Sequence, residues 1–180
     1  EETFVTPAQS ELAALLSVAT SEDDLYSRLE RLIIGWRGAC EPIFAPGGKH
    51  IYYTRNTTPG PIFEYAQDSN NQLFAIERYT IETGETETVV GGEGGAVRPT
   101  PSPDGKKLAY VRREKTRSKL YLRDLEAGTD RKIFDTLDQD VQETWAVTGV
   151  YPNMDWSPDS KSIYFWAGGK IRKVDWPSGT

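Results

Sequence analysis

The sequence predicts a mainly all-β chain: three repeated four-stranded antiparallel units arranged as blades, behind a short two-helix segment. Three observations carry this. A Pro-turn-Lys element occurs three times, as Ala45-Pro46-Gly47-Gly48-Lys49, Ser102-Pro103-Asp104-Gly105-Lys106 and Ser157-Pro158-Asp159-Ser160-Lys161. The prolines lie 57 and 55 residues apart, a period that marks repeated supersecondary units. Each copy is followed by an apolar run in the same register, with Ile51, Leu108 and Ile163 five residues after the proline and Tyr53, Tyr110 and Phe165 seven after it.

Residues 1–37 have a different period. Thr6 at an N-cap, Pro7 at the first helical position and Gln9 reaching back form a helix start. Leu12, Leu15, Leu16 and Ala19 follow at helical spacing. Ser21-Glu22-Asp23-Asp24 starts a second helix, with Leu25, Leu29, Leu32, Ile33 and Trp36 as its apolar stripe and Gly35 as its stop. Two helices are expected, at roughly 7–18 and 22–34.

From Gly38 onward the period is 2. Positions +5 and +7 from each proline share one face of a strand, and +6 (Tyr52, Ala109, Tyr164) takes the other. Both faces are largely apolar, which predicts strands covered on both sides. The residues at −4 and −2, including Pro42, Pro99 and Pro101, belong to a preceding short strand with a free edge, where proline is tolerated. Pro-Asp or Pro-Gly at the turn centre suits a tight connection, and the lysines after it face water. Third strands begin at Leu73, Leu120 and Ile171, and outer strands cover Glu85–Val90 and Asp130–Phe134. The units run over about 38–95, 96–148 and 149–180.

Composition narrows the function. Net charge is −6, so no general attraction to nucleic acid or to an anionic membrane is expected. From Arg98 to Phe134 eleven Lys/Arg stand against five Asp/Glu. The run Arg112–Lys119 reads as a solvated hairpin tip. The single cysteine, Cys40, rules out an intrachain disulfide, and no apolar run reaches membrane-spanning length. The first residues, Glu1-Glu2-Thr3-Phe4-Val5, have neither the basic nor the apolar stretch of a signal peptide, as in a mature or trimmed chain.

An inner strand, a Pro-Asp-Gly-Lys turn, an apolar strand and a strand ending near Asp-x-x-x-Gly, as in Asp124 to Gly128 and Asp175 to Gly179, resemble the blade of TolB-type β-propellers. Residues 96–180 are most similar to propellers preceding metal-dependent amidohydrolase domains, on Tyr151–Ile163 and Phe165–Ile171. The resemblance covers residues 40–180 and implies a partial β-propeller. It also implies a periplasmic or secreted bacterial protein. Propellers close with 4–8 blades. Three blades therefore imply a piece of a larger ring, whose partner is the rest of its own propeller or a second copy of the chain, with a further protein partner expected of such a scaffold.

Catalytic constellations are not expected within this chain. His50 is the only histidine, so neither the histidine-rich metal set of an amidohydrolase nor that of a propeller lyase can be carried over, and no Gly-x-Ser-x-Gly elbow occurs. No cofactor is expected. Asp135, Asp138, Asp140 and Glu143 form an acidic loop with the oxygen ligands a hard cation takes, but not with the spacing of a calcium loop. Gly91-Gly92-Glu93-Gly94-Gly95 reads as a flexible link between units. Trp145, Tyr151, Trp156 and Trp166 read as inter-blade packing. Innermost strands of a propeller begin at the central channel. Five residues before the turn prolines stand Glu41, Arg98 and Asn153, and these three are the candidates for channel or ligand contact. The expected function is a non-catalytic scaffold or interaction module of a larger exported hydrolase or Tol-type protein. The alternative is the propeller portion of a prolyl-oligopeptidase-type serine hydrolase or of a sugar-binding lyase.

Overall fold

The computed structural model describes residues 39–57, 72, 74–138 and 152–176. Both expected helices fall outside them. Ala39–Thr180 forms one compact unit. Eleven strands stand in it: β1 (Ala39–Phe44), β2 (His50–Asn56), β3 (Phe74–Thr80), β4 (Thr86–Val90), β5 (Val97–Pro101), β6 (Lys107–Glu114), β7 (Arg117–Asp124), β8 (Thr129–Phe134), β9 (Met154–Trp156), β10 (Ser162–Ala167) and β11 (Lys170–Asp175). They make three antiparallel sheets in simple meander order, β1-β2-β3-β4, β5-β6-β7-β8 and β9-β10-β11. The third sheet therefore corrects the expectation of four strands per blade. No fourth strand pairs with β11 among the described residues, and residues 177–180 lie outside them.

The repeat survives at the level of register. Phe44 pairs with Ile51, Pro101 with Leu108 and Trp156 with Ile163, so the same two repeat positions face each other in all three sheets. Inner strands β1, β5 and β9 are edges within their sheets, which is why β5 accommodates Pro99 and Pro101. The inner strand β5 lies against β1, and β9 lies against β5. The sheets are thus arranged face to face about a row of inner strands.

Each turn closes through a hydrogen bond from its fourth residue to its first: Gly48 N–H to the Ala45 carbonyl at 3.0 Å, Gly105 to Ser102 at 2.8 Å and Ser160 to Ser157 at 2.9 Å. That fourth residue is left-handed in every copy, with φ of +68°, +71° and +60°. Asp104 and Asp159 fix the later two turns: each carboxylate accepts a serine hydroxyl two residues back at 2.6 Å and a lysine N–H two residues on. Lys49, Lys106 and Lys161 are all exposed, as expected.

Two apolar clusters hold the sheets together. Tyr52, Ile76 and Val90 of the first sheet pack with Leu108 and Tyr110 of the second. Ala109, Val111, Leu120 and Leu122 of the second pack with Trp156, Ile163 and Phe165 of the third. The +5 and +7 side chains of the second and third blades therefore cover the preceding blade, and the +6 and +8 side chains of the first and second are covered by the following one. The expectation of burial on both faces is met fully by β6, with Leu108, Ala109, Tyr110 and Val111 all inaccessible, and by the middle of β2, where Tyr52, Tyr53 and Thr54 are buried in succession. Along β10 burial alternates, and Tyr164 and Trp166 are exposed. The inter-blade packing expected of the aromatics holds for Trp156 and not for Trp166.

Two loop expectations are corrected. Residues 91–95 are pinned: Gly94 accepts the Arg113 N–H at 3.1 Å, Arg112 donates to the Gly95 carbonyl at 3.1 Å and to the Gly91 carbonyl at 2.6 Å, and Ala96 donates to Phe74 at 3.0 Å. The run Arg112–Lys119 is solvated only at its tip, Lys115 to Arg117. Arg113 is buried, and the Arg112 guanidinium lies over the rings of Tyr110 and Tyr121. The charges that suggested a solvated run serve as backbone donors and ring covers. No helix among the described residues is long and apolar enough to cross a membrane.

Candidate functional site

The first two inner strands share an irregularity. Pairing with the second strand slips between Cys40 and Ile43 in β1, and between Val97 and Thr100 in β5. Both slips are bulges of two residues, Glu41-Pro42 and Arg98-Pro99, at the same repeat positions. Glu41 and Arg98 adopt left-handed φ of +57° and +59° there. A non-glycine residue pays roughly 1–2 kcal/mol for that conformation. Bulges re-aim side chains, and these turn two charged groups towards each other.

Glu41 Oε2 accepts the Arg98 backbone N–H at 2.9 Å, and Oε1 lies 2.9 Å from Arg98 Nε. The Thr54 hydroxyl, fully buried on β2, donates to the same Oε2 at 3.2 Å. Arg98 Nη1 then donates to Asn153 Oδ1 at 3.2 Å. The three candidate residues, 57 and 55 positions apart in sequence, thus form one polar row across three blades. The row is graded in exposure: the Glu41 and Arg98 side chains are 10% and 17% exposed, whereas Asn153 is open to solvent. Burial raises the Glu41 carboxyl above its usual value, against the opposing pull of the Arg98 charge and N–H. Thr54 was not singled out from the sequence. Its signal was a polar residue at +8, where the second and third units carry Val111 and Trp166.

The acidic loop candidates are placed differently. Asp135 is paired with Lys119 at 2.8 Å and Lys132 at 3.0 Å, and these cations hold its carboxyl below the usual range. Asp138 Oδ1 accepts the Gly168 N–H at 2.8 Å, in the turn between β10 and β11. Asp140 and Glu143 lie outside the described residues. Among the described residues no three His, Cys, Asp or Glu side chains converge as a metal site. His50 Nδ1 sits 3.3 Å from the Thr80 hydroxyl across the β2–β3 pair.

No family model matches the sequence, and no curated protein matches it. Solved structures do. TolB from Acinetobacter baumannii superposes with a TM-score of 0.58 at 21% identity, over 79% of this chain and 31% of that one. Oligogalacturonate lyase in complex with manganese gives 0.52 at 18% identity, over 78% and 35%. A putative TolB from Agrobacterium tumefaciens gives 0.51 at 17% identity, over 76% and 45%. The chain spans about a third to under half the length of these structures. Register, blade order and these superpositions agree on one fold: the described residues are successive blades of a partial β-propeller, similar in fold to TolB.

Proposed function

We propose that this chain is a non-catalytic binding and scaffolding module, a consecutive set of blades from a larger propeller protein, with Glu41, Arg98 and Asn153 facing the ligand. The observation that carries the reading is the repeated bulge. Two blades accept a left-handed, non-glycine residue at the same place, and in both the outcome is a charged side chain in one inter-blade row. Strain of this kind is retained where surrounding structure or function over-determines it. The row offers an exposed amide beside a mostly buried guanidinium–carboxylate pair, which suits a polar peptide segment or a carboxylate-bearing ligand better than a reacting bond.

The parent protein fits an exported hydrolase of the amidohydrolase-associated kind or a Tol-type protein in a bacterial periplasm. The sequence likeness of residues 96–180 supports the first and the structural likeness to TolB the second. The role in either is to assemble or shield, with chemistry left to other domains.

The test is panning of a random peptide library on the immobilised chain and on its Asn153→Ala and Arg98→Lys variants. Asn153 is exposed, so its truncation is expected to leave the thermal midpoint unchanged within about 2 °C. Peptides enriched on the native chain are expected to lose binding on either variant by roughly tenfold, the cost of about one polar contact. Equal binding to all three proteins would remove the row from the function.

A further inference from the structure

The seam between the second and third blades carries charges that the seam between the first and second does not. Trp176, the residue after β11, donates its N–H to the Lys161 carbonyl at 2.7 Å, as Leu125 after β7 does to the Lys106 carbonyl at 2.9 Å. The two occupy one repeat position, and each packs against an apolar cluster between blades. Two cations stand about the Trp176 ring: Lys107 Nζ lies 5.9 Å from its centroid and Arg131 Cζ 5.3 Å. Lys107 is on β6 and Arg131 on β8, on the same face of the second sheet. In the first sheet those two positions hold His50 and Glu87, and Glu87 is closed by an ion pair with Arg78. The blade repeat therefore does not require two cations there.

Neither cation is neutralised by a bonded carboxylate. Lys107 and Arg131 form no ion pair among the described residues. Asp124, opposite Lys107, accepts the Glu126 and Ala127 N–H groups at 3.0 and 2.9 Å. Asp104 is held by Ser102 and Lys106 N–H in its own turn. Lys107 reaches these two carboxylates only through space. Asp130, beside Arg131, is bound to Arg123 at 2.8 Å, and Asp175, beside Trp176, is taken by Ser162 and Lys173. Contact with a ring uses a cation's charge and leaves its N–H donors free. Two like charges held against one indole repel each other unless a counter-charge joins them.

We infer that Lys107, Arg131 and Trp176 form a binding site for a phosphate group at the rim of this seam. Arg131 is exposed, and the edge of its guanidinium matches two oxygens of an oxyanion. Lys107 adds a point charge, and the half-buried indole walls the site. A phosphate group near pH 7 carries close to two charges, which meets two cations better than a carboxylate does. The chain's net charge of −6 opposes a general attraction to polyanions, so the site acts locally. It uses none of Glu41, Arg98 and Asn153, so loss of peptide binding at that row leaves it untouched.

The test titrates inorganic phosphate into the full chain at pH 7 and fixed ionic strength. The indole N–H resonance of Trp176, assigned with Trp176→Phe, is followed by NMR. A saturable shift with a dissociation constant on the order of millimolar is expected, with acetate weaker and chloride without effect. Arg131→Gln and Lys107→Gln are each expected to weaken phosphate binding by roughly fivefold or more, because each removes a charge that touches the ligand. Lys49→Gln, at an exposed turn of the first blade, is expected to leave it unchanged. Phenyl phosphate is the second arm: tighter binding than inorganic phosphate assigns a phosphate ester, weaker or equal binding the free ion, and either supports the site. A shift that never saturates, or that chloride reproduces, overturns the inference. So does a loss on Lys49→Gln as large as that on Arg131→Gln. Both cations lie towards the surface, so the variants are expected to keep the thermal midpoint within about 2 °C. Should Arg131→Gln fail to fold, Arg131→Lys decides: it keeps the charge and loses the two-donor edge, and unchanged phosphate affinity overturns the assignment.

Discussion

The indole Nε1 of Trp156 donates to the backbone carbonyl of Thr100 at 3.0 Å, in a buried bond that joins the inner strand of the third blade to that of the second. Strand β5 has no neighbour within its sheet on that side, so the carbonyl depends on a partner from another blade. Trp156→Phe keeps most of the apolar volume and removes the donor. It is expected to destabilise the chain by about 1–3 kcal/mol, the cost of a buried carbonyl left without a partner. Urea unfolding monitored by circular dichroism measures it. A loss below about 0.5 kcal/mol, the noise of a surface substitution, would show that water reaches the Thr100 carbonyl.

Gly94 and Gly92 share the 91–95 link but not its constraint. A Cβ on Gly94 would stand 2.0 Å from the Arg113 carbonyl oxygen, at φ +77°, while one on Gly92, at φ +93°, would meet nothing within 4 Å. Gly94→Ala must therefore push two blades apart at a backbone contact. It is expected to cost more than about 3 kcal/mol, against about 1–2 kcal/mol for Gly92→Ala, where only the torsion is penalised. Paired thermal melts check the difference, and equal losses would mean the link moves freely.

The blades were legible in the sequence because period-2 burial and the turn chemistry repeat residue for residue. Ile51, Leu108 and Ile163 occupy equivalent register positions for that reason. The row Glu41–Arg98–Asn153 was legible as three polar residues at one repeat position. Its bonding was not, because it depends on bulges, and a bulge changes pairing without changing composition. The Glu-Pro and Arg-Pro dipeptides at those positions were the available sign, although proline disfavours helical conformations before it and so pointed towards extended backbone. The run Arg112–Lys119 misled because charge normally marks solvent. Arg112 instead buries its stem and satisfies glycine carbonyls that have no strand partner, as long basic side chains can.

Ser160 takes the left-handed position that glycine fills in the other two turns. Its hydroxyl also accepts the Asp104 N–H at 3.0 Å, linking the turns of adjacent blades in an exposed bond. Ser160→Gly relieves roughly 1 kcal/mol of conformational cost and loses an exposed hydrogen bond of about 0.5 kcal/mol. A small net gain in thermal midpoint is expected. A clear loss would assign the inter-turn bond a larger share than its exposure suggests.

Glu41 makes the chain's pH response distinctive. Burial raises its carboxyl above 4.5 despite the Arg98 partner. The folded state then holds this proton more tightly than the unfolded chain, so its contribution is fully present below pH 4.5 and declines as pH rises through the raised value. The turn carboxylates act in the opposite sense: Asp104 and Asp159 titrate below 3.8, and stability from them is lost as pH falls through their lowered values. The two windows do not overlap, which makes the Glu41 effect separable. Glu41→Gln keeps an acceptor for the Arg98 N–H and cannot titrate. The difference in urea midpoint between native and variant chains is expected to shift against the native chain from pH 4.5 upward and to stay constant below it. A difference that moves the other way would mean the Arg98 pair outweighs burial, and the row would be a net stabilising ion pair rather than a charge held at a cost in the wall between blades.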